Sequence, residues 1–435
     1  MSGIEGLTKL PELRRRILIT IALLAVYRLG IFISAPGIDV DALTAFFNQS
    51  QGTIFGFFNL IGGKALERFS IFSLGIMPYI SASIILQLLT VVVPHLEQLS
   101  KEGELGRRKI TQYTRYGTVL LCLIQGYGIA VGLEGIQTAG GGRAVMDPGV
   151  SFRLLTMVTL ATGTAFLMWL GEQITERGIG NGISLIIFAG IAANILPGFF
   201  NVIHFIKNGE WTVIKALFIL GFMVVVVAFI IFMETSQRRI PVQYAKRIVG
   251  RRMFGGQATH LPLKINTSGV IPPIFASSVM MFPATLATFV TIPLLNHFKN
   301  FLSASGLLYN LAFVVLIVFF AFFYTAIVFK PDEISENLKK WGGFIPGIRP
   351  GQPTSEYIDF VLSRLTTLGA IYLSIVCVMP TLLYASANVP FYFGGTSLLI
   401  LIGVALDTAQ QIESYLLTRN YEGFIKDARI RGRRG

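Results

Sequence analysis

The chain has 435 residues, of which 53% are hydrophobic and 14% are charged, against about 25% charged residues in ordinary soluble proteins. A soluble domain of this size could not bury so much apolar surface, so the composition excludes a soluble globular protein and indicates a polytopic membrane protein. The net charge of +13 excludes a passive lipid-buried bundle with neutral loops, and it predicts an anionic partner such as lipid headgroups, RNA or an acidic protein.

Ten stretches are long and apolar enough to cross a bilayer, which takes about 20 residues. The first follows Arg14-Arg15-Arg16 without a cleavage site, so we interpret it as a span and not as a removed signal peptide. Asn388-Val389-Pro390 separates the last two, since proline stops a helix. The predicted spans are 17–34, 69–93, 116–133, 154–171, 178–203, 216–233, 265–293, 307–329, 365–386 and 391–417.

Basic residues alternate with these spans. One side of the membrane receives 28 of the 36 lysines and arginines and the other side receives seven, while Arg28 lies inside the first span. The positive-inside rule therefore places both termini in the cytoplasm. Two long loops on that side, 234–264 and 330–364, carry many of the cations. These cations set the topology and contact anionic lipid, or they form docking points: Arg349 lies between two prolines, in a rigid turn suited to presenting one guanidinium.

The sequence contains an internal repeat. Residues 75–83 match residues 269–277 at five of nine positions, and the two segments lie in spans 2 and 7. Five spans per half, an odd number, predict an inverted repeat with halves 1–208 and 209–435, a plan typical of transport proteins. The alternative is chance, because glycine and proline are common in membrane helices.

Residues 52–63 are apolar but too short to span. They indicate a re-entrant plug or, alternatively, an interfacial helix. Ile76, Ile80, Ser83 and Gln87 share one helix face in span 2, and Ile274, Ser278 and Phe282 share one in span 7, although ordinary helix packing also explains such faces.

No motif for catalysis, for nucleotide binding or for a metal site is present. The sequence lacks HExxH and a phosphate-binding loop, the four histidines are scattered, and the two cysteines lie in apolar stretches. We therefore expect no enzyme, no cofactor and no direct nucleotide binding, so that a partner must supply energy. Intramembrane ionisable residues, which mark ion routes in pumps, are few: Arg28, Asp407 and Glu413.

Several long segments together resemble the SecY/Sec61-alpha family, the pore-forming subunits of protein-translocation channels. The resemblance runs nearly end to end. Its most specific segments are 75–83, 106–115, 178–184, 237–239, 244–247, 260–264, 344–351 and 390–397.

The resemblance implies a fold and a pore. It implies an all-α membrane protein of ten helices, in two inverted halves that form a clamshell around a central pore. The family's hydrophobic pore ring corresponds to Ile76, Ile80, Ile187, Ile274 and Ile400. The family's plug corresponds to residues 53–69, including Phe55, Phe57, Phe58, Asn59 and Leu60.

The resemblance also implies a gate and docking points. A lateral gate between spans 2–3 and 7–8 would carry Ser81, Gln87, Asn266, Ser278 and Phe282. The arginine that the family's motor ATPase needs corresponds to Arg349, and the basic pair that contacts the ribosome corresponds to Arg251 and Arg252.

The implied function is a channel that translocates unfolded secretory polypeptides and releases transmembrane segments laterally into the bacterial cytoplasmic membrane. The implied partners are the SecE and SecG subunits, the SecA motor ATPase, the ribosome, signal peptides and nascent chains, and anionic lipids. Two alternatives remain at this point. One is a secondary transporter, which would need an essential intramembrane charge such as Asp407; the other is a membrane scaffold without a pore.

Overall fold

Helices dominate the structure. The computed structural model of the chain describes residues 11–49, 65–135, 144–209, 211–244, 247–249, 252–254, 259–289, 307–387 and 395–427. The helices in these ranges are α1 (Pro11–Gly30), α2 (Val40–Gln49), α3 (Met77–Val92), α4 (Pro94–Lys101), α5 (Glu104–Glu134), α6 (Val150–Arg177), α7 (Gly182–Ala192), α8 (Ile195–Lys207), α9 (Val213–Thr235), α10 (Ile271–Phe289), α11 (Leu307–Val328), α12 (Pro331–Lys340), α13 (Gln352–Ala387) and α14 (Gly395–Asp427).

Each of the ten predicted spans overlaps a helix or a pair of consecutive helices. Among the described residues, six helices are long and apolar enough to cross a membrane, and α3 with α4 would make a seventh, bent by 100°. The bend falls at Val93, whose backbone is extended because the following Pro94 disfavours the helical conformation. The chain is thus a multi-pass membrane protein.

Two of the differences between the predicted spans and the observed helices bear on candidate site residues. The span predicted from residue 69 becomes helical only at Met77, because Gly75 turns the chain with φ +56° and Pro78 stands in the first helical turn. The span predicted over 178–203 is divided into α7 and α8. Apolar composition predicts that both segments lie within the membrane, but it does not predict at which residue the helix begins or breaks.

Helix α9 exposes many of its apolar side chains. Apolar side chains surround this helix, and Leu217 and Phe218 are 71% and 73% exposed. Such a helix is stable only when lipid or another protein covers it.

The two long loops fold together, which the sequence reasoning missed. Strands β1 (Gln237–Tyr244), β4 (Thr259–Lys264) and β5 (Gly343–Phe344) form an antiparallel sheet in the order β4-β1-β5. Strands β2 (Arg247–Val249) and β3 (Arg252–Phe254) form a separate two-stranded hairpin. Strand β1 therefore joins the loop over 234–264 to the loop over 330–364.

The chain divides into two compact units. The first unit comprises Met1–Asn201, Met281–Asn300 and Ile400–Gly435, and its core includes the fully buried Phe69 and Leu160. The second unit comprises Val202–Met280 and Phe301–Leu399. The boundary that the repeat places after residue 208 stays a prediction.

Close packing in the first unit brings α6 against the non-helical stretch before α3. A Cβ atom added at Gly163 would overlap the carbonyl oxygen of Ile71, whereas one added at Gly132 in α5 would meet nothing within 4 Å. Only a glycine fits at position 163.

We therefore expect Gly163→Ala to lower the free energy of unfolding by about 1–3 kcal/mol, since overpacking forces the neighbouring backbone to move. Gly132→Ala is the matched control and should leave stability unchanged or raise it, because alanine favours helix over glycine. Thermal unfolding of the purified protein in detergent measures both. Equal unfolding temperatures for Gly163→Ala and the parent protein would contradict the close contact at Ile71.

Candidate functional site

Four residues predicted for the pore ring lie in the first unit. Ile76 caps the start of α3 and Ile80 lies one turn later, Ile187 lies in α7, and Ile400 lies near the start of α14. All four are buried. Branched apolar side chains at the starts of α3 and α14 and within α7 are thus buried in the protein, and their part in a pore ring stays a prediction.

The start of α3 is fixed by a glycine turn. Gly75 has φ +56°, and its carbonyl oxygen accepts a hydrogen bond from Thr164 Oγ1 at 3.3 Å. The preceding stretch is also held, because the Ser70 hydroxyl donates to the carbonyl oxygen of Gly30 at 2.9 Å and the amide of Ile71 donates to the carbonyl oxygen of Ile33 at 3.0 Å. These bonds set where Ile76 and Ile80 enter the core.

The helix that carries Ile187 starts from a capped loop. Asn181 Oδ1 accepts from the amides of Ile183 at 3.1 Å and Ser184 at 3.3 Å, which satisfies two free donors of the first turn. The same loop contacts other helices, since Thr20 Oγ1 accepts from the amide of Ile179 and Gln411 Oε1 accepts from the amide of Gly180, both at 3.0 Å. Residues 178–184 therefore cap α7 and connect it by hydrogen bonds to α1 and α14, which is a structural role for this segment.

The fifth ring candidate, Ile274, lies in the second unit. It occupies the first turn of α10 and is half-buried. Its carbonyl oxygen accepts from the hydroxyls of Ser277 at 2.8 Å and Ser278 at 2.9 Å. Phe275 beside it is buried and meets Phe320 edge to face, with ring centroids 5.6 Å apart. The polar atoms of this face are thus bonded within their own helix.

Asn266 lies in the short connection between β4 and α10. Its side chain is buried, and Nδ2 donates to Glu234 Oε1 at 2.7 Å and to the carbonyl oxygen of Gly269 at 3.0 Å. Gly269 is left-handed with φ +62°, as is Gly75 at the equivalent position of the repeat. The carbonyl oxygens of both glycines accept a side-chain hydrogen bond, so the repeated segments have the same local structure.

Strands β1, β4 and β5, together with α12 and the first turns of α13, form a folded body that we name the loop module. Its core contains Ile240, Leu263, Ile345 and Ile358, all buried. Apolar burial of this kind holds a loop rigid, so the loop module can present surface groups in a fixed geometry.

Arg349 is exposed on a tight turn of the loop module. Gly347 and Gly351 on either side are left-handed, with φ +83° and +109°. The carbonyl oxygen of Arg349 accepts from Thr354 Oγ1 at 2.8 Å, and that of Gly351 accepts from Ser335 Oγ at 2.6 Å. The backbone of the turn is therefore fixed while the guanidinium is free to reach a partner.

The other candidates are placed in part. Ser81 is half-buried and Gln87 is exposed on α3. Phe282 lies in α10 and Arg252 in β3, but their side chains lie outside the described residues, as do Arg251 and the plug residues Phe55, Phe57, Phe58, Asn59 and Leu60. In the part of the chain that the structure describes, no group of three histidine, cysteine, aspartate or glutamate residues is placed to hold a metal ion.

Comparison with known proteins decides the family. The family model of SecY matches residues 70–409. The chain belongs to the SecY family. The protein translocase subunit SecY of Escherichia coli strain K12 is 50% identical over 97% of this chain and 96% of its own length.

Two solved structures have the same fold, each covering 99% of both chains. They are a protein-conducting channel, with a TM-score of 0.67 and 18% identity, and Sec61 in the canine ribosome–channel complex from the endoplasmic reticulum, with a TM-score of 0.63 and 17% identity.

Membership in the SecY family confirms the helical, two-halved channel fold predicted from the sequence. It also makes the chain a protein-conducting subunit of a protein translocase. The SecY motifs that carried the resemblance include residues whose structural partners the sequence did not reveal. Thr164 and Gln411 are examples, because each bonds a motif residue, Gly75 or Gly180, from a distant part of the chain. Glu234 likewise bonds the gate candidate Asn266 from α9.

The core of the loop module generates a prediction. We expect Ile358→Ala to destabilise the loop module by about 2–5 kcal/mol, because it leaves a cavity at a fully buried position. Limited proteolysis of the purified protein should then cut the loops over 234–264 and 330–364 faster. Ile375→Ala on the same helix is the matched control, since Ile375 is 60% exposed. Cleavage at the parent rate in Ile358→Ala would show that the module does not depend on this core.

Proposed function

We propose that this SecY-family channel passes unfolded secretory polypeptides through a pore closed by isoleucines and releases apolar segments sideways into the bilayer. The observation that carries the proposal is the 50% identity to a protein translocase subunit over nearly the whole chain. The matching segments 75–83 and 344–351 contain the candidates Ile76, Ile80, Ser81 and Arg349. The chain is a channel and not an enzyme: no catalytic or nucleotide-binding motif is present in the sequence.

Ile76, Ile80, Ile187, Ile274 and Ile400 form the pore ring in this proposal. Branched apolar side chains can close around many different polypeptides without binding any one of them tightly. When no polypeptide is present, an apolar constriction of this kind resists wetting and so blocks ions. The burial of four of these residues within the first unit supports the assignment.

The plug of the proposal covers residues 53–69 and adds a second seal. The described end of this segment is held in the first unit: Ala65 and Phe69 are buried, and the carbonyl oxygen of Phe69 accepts from the amide of Ala35 at 2.8 Å. The described end of the predicted plug is therefore anchored to the packed part of the first unit.

The lateral gate of the proposal runs between α3 and α5 on one side and α10 and α11 on the other. An apolar segment in the pore gains about 0.3–0.6 kcal/mol for each leucine, isoleucine, phenylalanine or valine that enters lipid near the helix centre. Polar gate residues such as Ser81, Gln87, Ser278 and Asn266 change this balance, since hydrogen bonds between membrane helices average about 0.6 kcal/mol. Phe282 contributes apolar surface at the same gate.

The loop module and the β2–β3 hairpin are the cytoplasmic docking surface. Arg349 would engage the SecA motor ATPase, and Arg251 and Arg252 would contact the ribosome; the fixed turn around Arg349 supports its part of this assignment. SecE and SecG would complete the translocase, signal peptides and nascent chains would pass through it, and anionic lipids would bind the remaining cations. The charge asymmetry of the loops supports a location in the bacterial cytoplasmic membrane with both termini in the cytoplasm.

The pore ring is tested by conductance. We expect Ile80→Asn and Ile274→Asn, alone and together, to raise the ion conductance of the idle channel in planar bilayers, because an amide lets water enter the constriction. Ile85→Asn is the control: Ile85 lies on the same helix as Ile80, about 140° around it. A leak no larger than that of the parent channel in both ring variants would refute the ring.

Docking at Arg349 is tested by charge reversal. Arg349→Glu should abolish motor-driven translocation of a secretory precursor into vesicles while the channel still accumulates in the membrane, since the guanidinium is exposed and its loss leaves the turn intact. Arg108→Glu reverses another exposed arginine, which is paired with Glu104 on α5, and should cost little. Unimpaired translocation by Arg349→Glu would rule out this residue as the docking point.

A further inference from the structure

One hydrogen-bonded cluster of the second unit contains a residue to which the family resemblance assigns no role. Glu234, in the last turn of α9, accepts at 2.7 Å from Nδ2 of Asn266, which precedes α10. The other hydrogen of this amide goes to the carbonyl oxygen of Gly269 at 3.0 Å, and Asn266 Oδ1 accepts from Ser268 Oγ at 3.1 Å. Asn266 is 2% exposed. Its amide is therefore satisfied within the second unit.

The cluster continues the sheet of the loop module. The last residue pair of the β1–β4 ladder is Gln237 with Lys264, and beyond it the amide of Ile265 donates to the carbonyl oxygen of Ser236 at 3.0 Å. The bond between Glu234 and Asn266 is the next link in the same direction. Beyond the ladder, the two segments are therefore joined by a side-chain hydrogen bond instead of a backbone one.

Two further helices hold the same connection. A Cβ atom added at Gly369 of α13 would lie 3.1 Å from the carbonyl oxygen of Ile265, so the backbones approach closely there. Thr267 Oγ1 lies 3.3 Å from the hydroxyl of Thr325 in α11 and 3.5 Å from that of Thr366 in α13. Residues 265–267 thus have a fixed position against α9, α11 and α13.

The start of α10 depends on this position. Gly269 makes a left-handed turn, and the bond from Asn266 to its carbonyl oxygen holds that turn two residues before α10 begins at Ile271. The direction in which α10 leaves the turn decides where Ile274 and Ser278 lie. A carboxylate is a stronger acceptor than a neutral oxygen, so Glu234 is well suited to fix Asn266.

We propose that Glu234 is a positioning residue of the lateral gate, which holds Asn266 and thereby ties the start of α10 to the loop module. The inference rests on the proposed function, because it takes α10 as a gate helix. Through this link, a load applied to the loop module by a docked partner reaches α10 directly. When the link is intact and no partner is bound, α10 is held in place and the gate opens only for strongly apolar segments.

The experiment measures the apolarity that the gate demands. Full-length channels in the assembled translocase receive a series of alanine segments with increasing numbers of leucine, and the readout is the number of leucines at which half of the segments enter the bilayer. We expect Glu234→Ala to lower this threshold by about one to four leucines, the equivalent of one or two interhelical hydrogen bonds. Glu234→Gln should keep the parent threshold, since its amide oxygen can still accept from Asn266.

Coupled variants separate positioning from general damage. Asn266→Ala breaks the same link, so it should shift the threshold equally, and the double variant Glu234→Ala with Asn266→Ala should shift it no further. Glu234→Asp keeps the charge but moves the carboxylate out of hydrogen-bond reach of Asn266, and it should behave as Glu234→Ala. Ser374→Ala removes a buried hydroxyl that bonds Ala370 within α13, and it should leave the threshold unchanged.

The outcomes distinguish the two levels of the proposal. No shift with Asn266→Ala would overturn the gate role of Asn266 and with it the proposed function of α10. A shift with Asn266→Ala but none with Glu234→Ala would overturn the positioning role alone. If Glu234→Ala does not accumulate in the membrane, Glu234→Asp decides: a parent threshold overturns the inference, and a lowered threshold supports it.

Discussion

Inside a bilayer every backbone donor and acceptor must be bonded within the protein, and this constraint governs each place where the chain leaves a helix. The turns at Gly75 and Gly269 meet it in the same way. Both glycines are left-handed, with φ +56° and +62°, and both carbonyl oxygens accept from a side chain, Thr164 in one case and Asn266 in the other. The two repeated segments thus share a left-handed glycine whose carbonyl oxygen is hydrogen-bonded, while the residue that donates the bond differs.

The same constraint explains why rigid and adaptable parts alternate along the chain. The side chains of the ring candidates are apolar and make no hydrogen bonds, so in the proposed pore they would yield to any passing polypeptide. The segments before α3 and α10 are densely hydrogen-bonded, so the helices that carry the ring candidates start from fixed points. A channel needs both properties, because its constriction must deform while its walls keep their positions.

The sequence predicts those features that the bilayer itself imposes. The multi-pass helical fold and the apolar faces of spans 2 and 7 follow from the hydrocarbon thickness and from helical periodicity. The membrane orientation rests on the charge bias alone and stays a prediction. Contacts between residues that are far apart in the sequence could not be predicted from it. Strand β5 pairs with β1 although a hundred residues separate them, and Glu234 meets Asn266 from another helix. Phe69, a buried aromatic residue with φ +43°, adopts a conformation that no propensity favours.

The pairing of β1 with β5 has a consequence for the synthesis of the protein. Residue 243 of β1 leaves the ribosome about a hundred residues before its partner, residue 344, which at roughly 5–20 residues per second is a delay of about 5–20 s. The helices α10 and α11 are made in that interval. The loop module therefore becomes complete only after these two spans exist, so a channel still under construction lacks the finished surface on which a partner would dock.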